Sequence, residues 1–180
     1  MTNPPGPAFG APNPSSVFAM AEAAVAGDAD ALRAYLDAIA SLWFAGEGHL
    51  GAHLGIEILE VAPERVRMRM AFRSELQRGG GIFHGGAIMA LADHVAGCVF
   101  NTDPRVGASR STGLTTDFSA SFLRAAEPGE AVIAEGRTLR RGRSVTFMEI
   151  IVRGETTGRD VATCRTTYVT VPMEKVRGRM

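Results

Sequence analysis

Residues 79–86 read Gly-Gly-Gly-Ile-Phe-His-Gly-Gly, and residues 87–100 continue Ala-Ile-Met-Ala-Leu-Ala-Asp-His-Val-Ala-Gly-Cys-Val-Phe. On a helical wheel the second stretch is apolar on every side apart from Asp93 and His94, and a helix of that kind is buried all round. It falls short of the roughly 20 residues that span a membrane, so other parts of the chain must cover it. The cover is read from the strands. In Val66-Arg67-Met68-Arg69-Met70 apolar and charged residues alternate, as on a strand with one buried and one wet face, the arginines forming the solvated row. Further β-rich runs at residues 113–123, 131–139, 144–152 and 161–171 are separated by turn residues such as Glu127-Pro128-Gly129-Glu130. Strands that follow one another without helices between them predict an antiparallel sheet, so the fold class is α+β.

Upstream, residues 1–16 are rich in proline and glycine and are expected to be a disordered tail. Residues 17–48 form a helical extension. Ser15 or Ser16 can cap its first helix, to about Ala26, and Asp28 or Asp30 its second. In the second, Leu32, Tyr35, Leu36, Ile39 and Trp43 make one apolar docking stripe that ends near Gly46. The main domain is placed at residues 49–173, with 174–180 as a tail.

The helix start carries the chemistry. Its first amides lack partners within the helix and sit at the positive end of its dipole, which suits an anion or a developing oxyanion. The Gly85 amide is the preferred donor, although such glycines also serve a simple tight turn. Neither a phosphate-binding loop nor the dinucleotide pattern is present. Asp93 is the most informative residue, because a carboxylate among Ala, Met, Leu and Val faces a desolvation cost unless something requires it. Burial would disfavour its charged form, the condition that suits a general base. A helix-surface position at a loop or a salt bridge to an arginine is the bland alternative. His84 is placed to orient the turn, and His94 points about 100° away from Asp93.

No metal site is expected. His49 and His53 are four apart, but Gly48 and Gly51 flank them and no zinc-protease pattern follows. Cys98 and Cys164 are read as small buried hydrophobes. With 19 basic and 19 acidic residues, charge exerts no global pull toward nucleic acid or an anionic membrane, so charged recognition must be local. The start of the chain lacks the basic and apolar regions of a secretory signal, and a cytoplasmic location is expected.

His84-Gly85-Gly86 followed by Ala-Ile-Met-Ala-Leu-Ala and Asp93 resembles the HGGxxxxLxD signature of hotdog-fold acyl-CoA thioesterases, of the phenylacetate-degradation and hydroxybenzoyl-CoA thioesterase type. His53-Leu54-Gly55-Ile56-Glu57, residues 115–125, 136–143 and 162–169 are similar to other stretches of that family in the right order, so the likeness covers roughly residues 49–172. The resemblance implies an antiparallel sheet wrapped around the long helix, with two protomers sharing active sites as a homodimer or a tetramer of two dimers. It implies an acyl-CoA substrate and no cofactor. Gly85 matches the amide that polarises the thioester carbonyl, and Asp93 the carboxylate acting as base or nucleophile. Thr115 falls where a hydroxyl positions water or the carboxylate, with His84 completing the catalytic set. The chain departs from the pattern six residues before His84, where relatives carry Asn or Gln and this chain has Arg78 with Gln77 beside it. Gln77, Arg78, Gly86, Arg124, Arg141 and Arg143 are the candidate substrate-binding residues, the arginines (Arg140 among them) as partners for CoA phosphates. Two rivals share the fold: a non-catalytic acyl or CoA-ligand binder, and a dehydratase or hydratase acting on an acyl thioester.

Overall fold

The computed structural model describes residues 13–42 and 49–177. Helices α1 (Pro14–Val25), α2 (Ala29–Leu42) and α3 (Leu50–Leu54) precede strands β1 (Ile56–Ala62) and β2 (Arg65–Met70). The long helix α4 (Gly85–Asn101) and the short α5 (Pro104–Ala108) follow. Strands β3 (Ser111–Phe122), β4 (Val132–Arg141), β5 (Val145–Gly154) and β6 (Asp160–Pro172) then run in succession to a terminal α6 (Met173–Arg177). The six strands form one sheet in the order β1-β2-β4-β5-β6-β3, with every pair antiparallel. No helix among the described residues is long and apolar enough to cross a membrane.

The alternation in β2 works as its pattern dictates. Val66, Met68 and Met70 are fully buried, while Arg65, Arg67 and Arg69 lie on the outer face. That row is ion-paired with Glu57, Glu60, Glu135 and Glu155 at 2.6–4.0 Å. Such partly exposed pairs each contribute little, so the inner methionines and valine hold β2 in place. The sheet curves around α4, ten of whose seventeen residues are buried. Cys98 and Cys164 are free thiols inside this core, and burial pushes them up to about 12 and about 11.

At the N-terminus α1 begins earlier than expected. Asn13 rather than a serine is its cap, accepting from the Ser15 amide at 3.0 Å, so residues 13–16 belong to the helix and its cap instead of the tail. Proline at the first helical position fits this start, since its missing N–H would be unpaired there in any case. Residues 1–12 of the predicted tail, and Trp43 with the rest of the stretch to Gly48, lie outside the described residues. Asp28 caps α2 by accepting from the amides of Asp30 and Ala31, both at 3.0 Å. The α2 stripe docks through buried Tyr35 and Ile39, and the Tyr35 hydroxyl donates to the Asn101 carbonyl at 2.7 Å.

Candidate active site

The turn into α4 is held by its own histidine. His84 Nδ1 accepts from the Gly86 amide at 2.9 Å, and the His84 carbonyl accepts from Ala87 and Ile88. Gly86 was expected to contact substrate, but its amide is already engaged by the cap. Gly85 is the first residue of α4, and its amide has no carbonyl one turn behind it. The Phe122 ring lies beside it, 3.2 Å from where a Cβ on Gly85 would stand. The loop before the turn passes through three glycines with φ of 104°, 70° and 75°, a backbone that other residues rarely adopt. Within it the Gln77 side chain accepts from the Gly81 amide at 3.2 Å. Gln77 therefore closes the loop, whereas the Arg78 side chain is exposed.

Asp93 is exposed in the single chain, which corrects the expectation of a buried carboxylate. Gly86, Met89 and Asp93, spaced three and four apart, form one open stripe on an otherwise covered helix. The cause is topological. Strand β3 is the last in the sheet, so no further strand among the described residues lies beyond it to cover that flank of α4. Two hydroxyls back the carboxylate: Thr115 Oγ1 donates to Asp93 Oδ1 at 3.3 Å, and the Tyr168 hydroxyl donates to the same oxygen at 3.4 Å. Thr115 and Tyr168 are cross-strand partners in β3 and β6, and the register breaks just after them, between Thr115 and Asp117. That bulge reverses the side-chain alternation, so Thr115 before it and Phe118 and Ala120 after it all turn toward the helix.

Sequence reasoning missed Tyr168. It lies 5% exposed, stacked on Phe100 with ring centroids 5.5 Å apart, in the space that Gly113 leaves open. Burial, first, and then the nearby Asp93 charge push its phenol up to about 12. The available signal was its inward phase in β6, two residues on from Thr166 and four from Cys164.

The arginines divide. Arg124, Arg140 and Arg143 are exposed, as CoA-phosphate partners would be. Arg141 is not of that kind: its side chain is 12% exposed and bonds Asp103 at 2.8 Å and Glu64 at 3.0 Å, with its guanidinium over the Phe100 ring. The structure thus commits Arg141 to the interior. His94 packs under Gly51 of α3, and burial lowers its imidazole below the ordinary range, against the pull of Asp93 and with the help of His49. Among the described residues no group of three or more His, Cys, Asp or Glu side chains is placed to hold a metal ion. Concavities of about 320 Å³ beneath the N-terminal helices and about 500 Å³ on the outer sheet face are lined by neither Asp93 nor Gly85.

A long central helix with a glycine bend at its start, wrapped by an antiparallel sheet, is the hotdog fold of known thioesterases. A thioesterase of Haemophilus influenzae matches it with a TM-score of 0.67 at 22% identity, over 77% of this chain and 91% of that one. The PaaI protein from the E. coli phenylacetic acid degradation operon matches with a TM-score of 0.61 at 17% identity, over 87% and 94%. A family model described as the thioesterase superfamily matches residues 80–161. A Deinococcus radiodurans protein named "Putative esterase" is 37% identical over 128 residues, 70% of this chain and 76% of its own length. "Acyl-coenzyme A thioesterase 13" of Mus musculus is 24% identical over 112 residues, 62% and 77% of the two chains. The chain belongs to the thioesterase superfamily, and its class of reaction is thioester hydrolysis.

Proposed function

We propose that this protein is an acyl-CoA thioesterase that works as a symmetric dimer, alone or paired into a tetramer, with each active site shared between protomers. The observation that carries this reading is an exposed, hydroxyl-backed Asp93 on the open flank of α4, beside a sheet edge that no strand among the described residues pairs. Long bare edges and exposed apolar side chains mark association surfaces, and Met89, Leu114, Phe122 and Leu123 are all exposed there.

Gly85 and Asp93 are eight residues apart on one helix, about 12 Å at a rise of about 1.5 Å per residue. In the shared site the Gly85 amide of one protomer binds the carbonyl oxygen, and Asp93 of its partner faces the carbonyl carbon. Asp93 takes a proton from water, the resulting hydroxide adds to the carbonyl carbon, and the oxyanion forms at the Gly85 amide. The C–S bond then breaks, and the proton passes from Asp93 to the departing CoA thiolate. Direct attack by Asp93, followed by hydrolysis of the anhydride, uses the same two groups. Arg124, Arg140 and Arg143 are free to meet the CoA phosphates.

The purified chain is tested on short, medium, long and aromatic acyl-CoAs with detection of the released thiol. At least one should be hydrolysed, and Asp93→Asn should lose about 100-fold or more in kcat while staying folded. Retained activity in Asp93→Asn, or binding across the panel without thiol release, overturns the reading.

A further inference from the structure

Two hydroxyls converge on one oxygen of Asp93, and among the described residues no hydrogen bond engages the other. Thr115 Oγ1 stands 3.3 Å and the Tyr168 hydroxyl 3.4 Å from Oδ1. Both contacts are long, as bonds around a catalytic group often are before substrate arrives. Their supports differ. Thr115 sits at the bulge of the edge strand, where pairing breaks, whereas Tyr168 belongs to a strand paired on both sides. Its ring is stacked on Phe100, and Phe100 in turn carries the Arg141 guanidinium 4.9 Å from its own ring centre. The phenol is thus the better anchored of the two donors.

We infer that Tyr168 is a positioning residue for the hydrolysis: with Thr115 it holds Oδ1 of Asp93, fixing the carboxylate so that Oδ2 is the oxygen turned to the thioester or its water. This rests on the role given to Asp93 above. Its phenol, pushed up to about 12, keeps its proton at neutral pH and acts as a donor to the carboxylate, never as a competing base. The two donors share the hold on that oxygen: losing either leaves Oδ1 held by one contact instead of two, and losing both lets the carboxylate rotate.

Tyr168→Phe keeps the ring on Phe100 and removes only the hydroxyl. We expect kcat to fall about tenfold, the scale of one hydrogen bond to a charged group, with KM and melting temperature unchanged. Thr115→Val should behave alike, and the double variant should fall by more than the product of the two. In an Asp93→Asn background Tyr168→Phe should change nothing further. Full kcat in Tyr168→Phe, a loss that appears in KM or in melting temperature instead, or an additional fall in the Asp93→Asn background each overturns the inference. An active Asp93→Asn would instead overturn the reading of Asp93 itself, so the two failures are distinct.

Discussion

Asp93 and Asp103 stand ten residues apart, one midway along α4 and one just past its end, and the chain treats them in opposite ways. Asp103 is 3% exposed and fully partnered: it accepts from the Arg105 amide at 2.9 Å, the Arg105 guanidinium at 2.8 Å and Arg141 at 2.8 Å, capping α5 as it does so. Burial alone would raise its carboxyl, but the Arg105 bonds and the Arg141 charge outweigh it and hold the group below its ordinary value. Asp93 is exposed, with two long hydroxyl contacts to one oxygen. Asp103 has every partner it needs within the chain and is structural. Asp93 sits exposed on an apolar helix with both of its side-chain contacts on one oxygen, so the other oxygen faces outward. Phe100 joins the two regions, with Arg141 against its ring on the Asp103 side and Tyr168 stacked on it on the Asp93 side.

The largest test strikes the anchored region. Arg141→Met removes one partner of a buried ion pair, a change that costs about 3 kcal/mol or more because the remaining charge is left short of compensation. For a chain of this size the melting temperature should drop by roughly 6–12 °C. Where the variant is still folded, KM for acyl-CoA should stay near the parent value. An unchanged melting temperature with a raised KM for acyl-CoA would break the comparison, since it would return Arg141 to the phosphate-binding role its sequence neighbours suggested.

The next test sharpens the other half of the contrast, that Asp93 is completed from a second chain. Gly85→Pro deletes the Gly85 N–H at the one helical position where proline fits, and His84, with φ −68° and ψ 137°, already has the extended backbone that a following proline demands. The half-exposed Phe122 ring is the contact that must yield. Loss of this donor should cost about 10²–10³ in kcat. Mixing subunits of Gly85→Pro and Asp93→Asn should restore about a quarter of parental activity, since half the dimers are mixed and each carries one intact pair. Mixtures as inactive as their components would place both groups of a site on one chain.

Local pattern was readable where a period governs it. The apolar run of α4, its glycine bend and the alternation in β2 each declare their partners within a few residues, and the family signature lies in that same stretch. Longer-range placement was not readable, and two of the register slips in the sheet show why. Period-two reading assumes an unbroken strand. In β4 the register slips between Thr138 and Arg140, so the phase reverses and Arg141 turns inward while Leu139 and Arg140 face out. In β3 the slip after Thr115 does the same beside Asp93. A single inserted residue therefore exchanged an expected substrate ligand for an internal anchor. The exposure of Asp93 follows from β3 being an edge, a fact of strand order that composition does not carry. Tyr168 meets Asp93 from 75 residues away, and only the β3–β6 pairing brings them together.

The smallest effect is in pH, and it separates the two regions by where each gives way. The His94 imidazole, beside Asp93, is lowered by burial from its ordinary value. A lowered histidine contributes stability that is present above its unfolded value of about 6.5 and is lost as pH falls through its folded value. Asp103 is lowered too, so its contribution is present above an unfolded value of about 3.9 and is lost only as pH falls through a value lower still. The packing of α3 on α4 should therefore soften in mild acid while the Asp103–Arg141 anchor endures. Thermal melts of the parent and of His94→Gln at pH 7.5, 5.5 and 4.5 read this directly. The parent should lose stability from 7.5 to 5.5 and on to 4.5, and His94→Gln, with nothing to protonate at that site, should lose less over the same span. Parallel curves would mean that His94 pays no penalty for its charge, and that the Asp93 flank is as settled in acid as the Asp103 end.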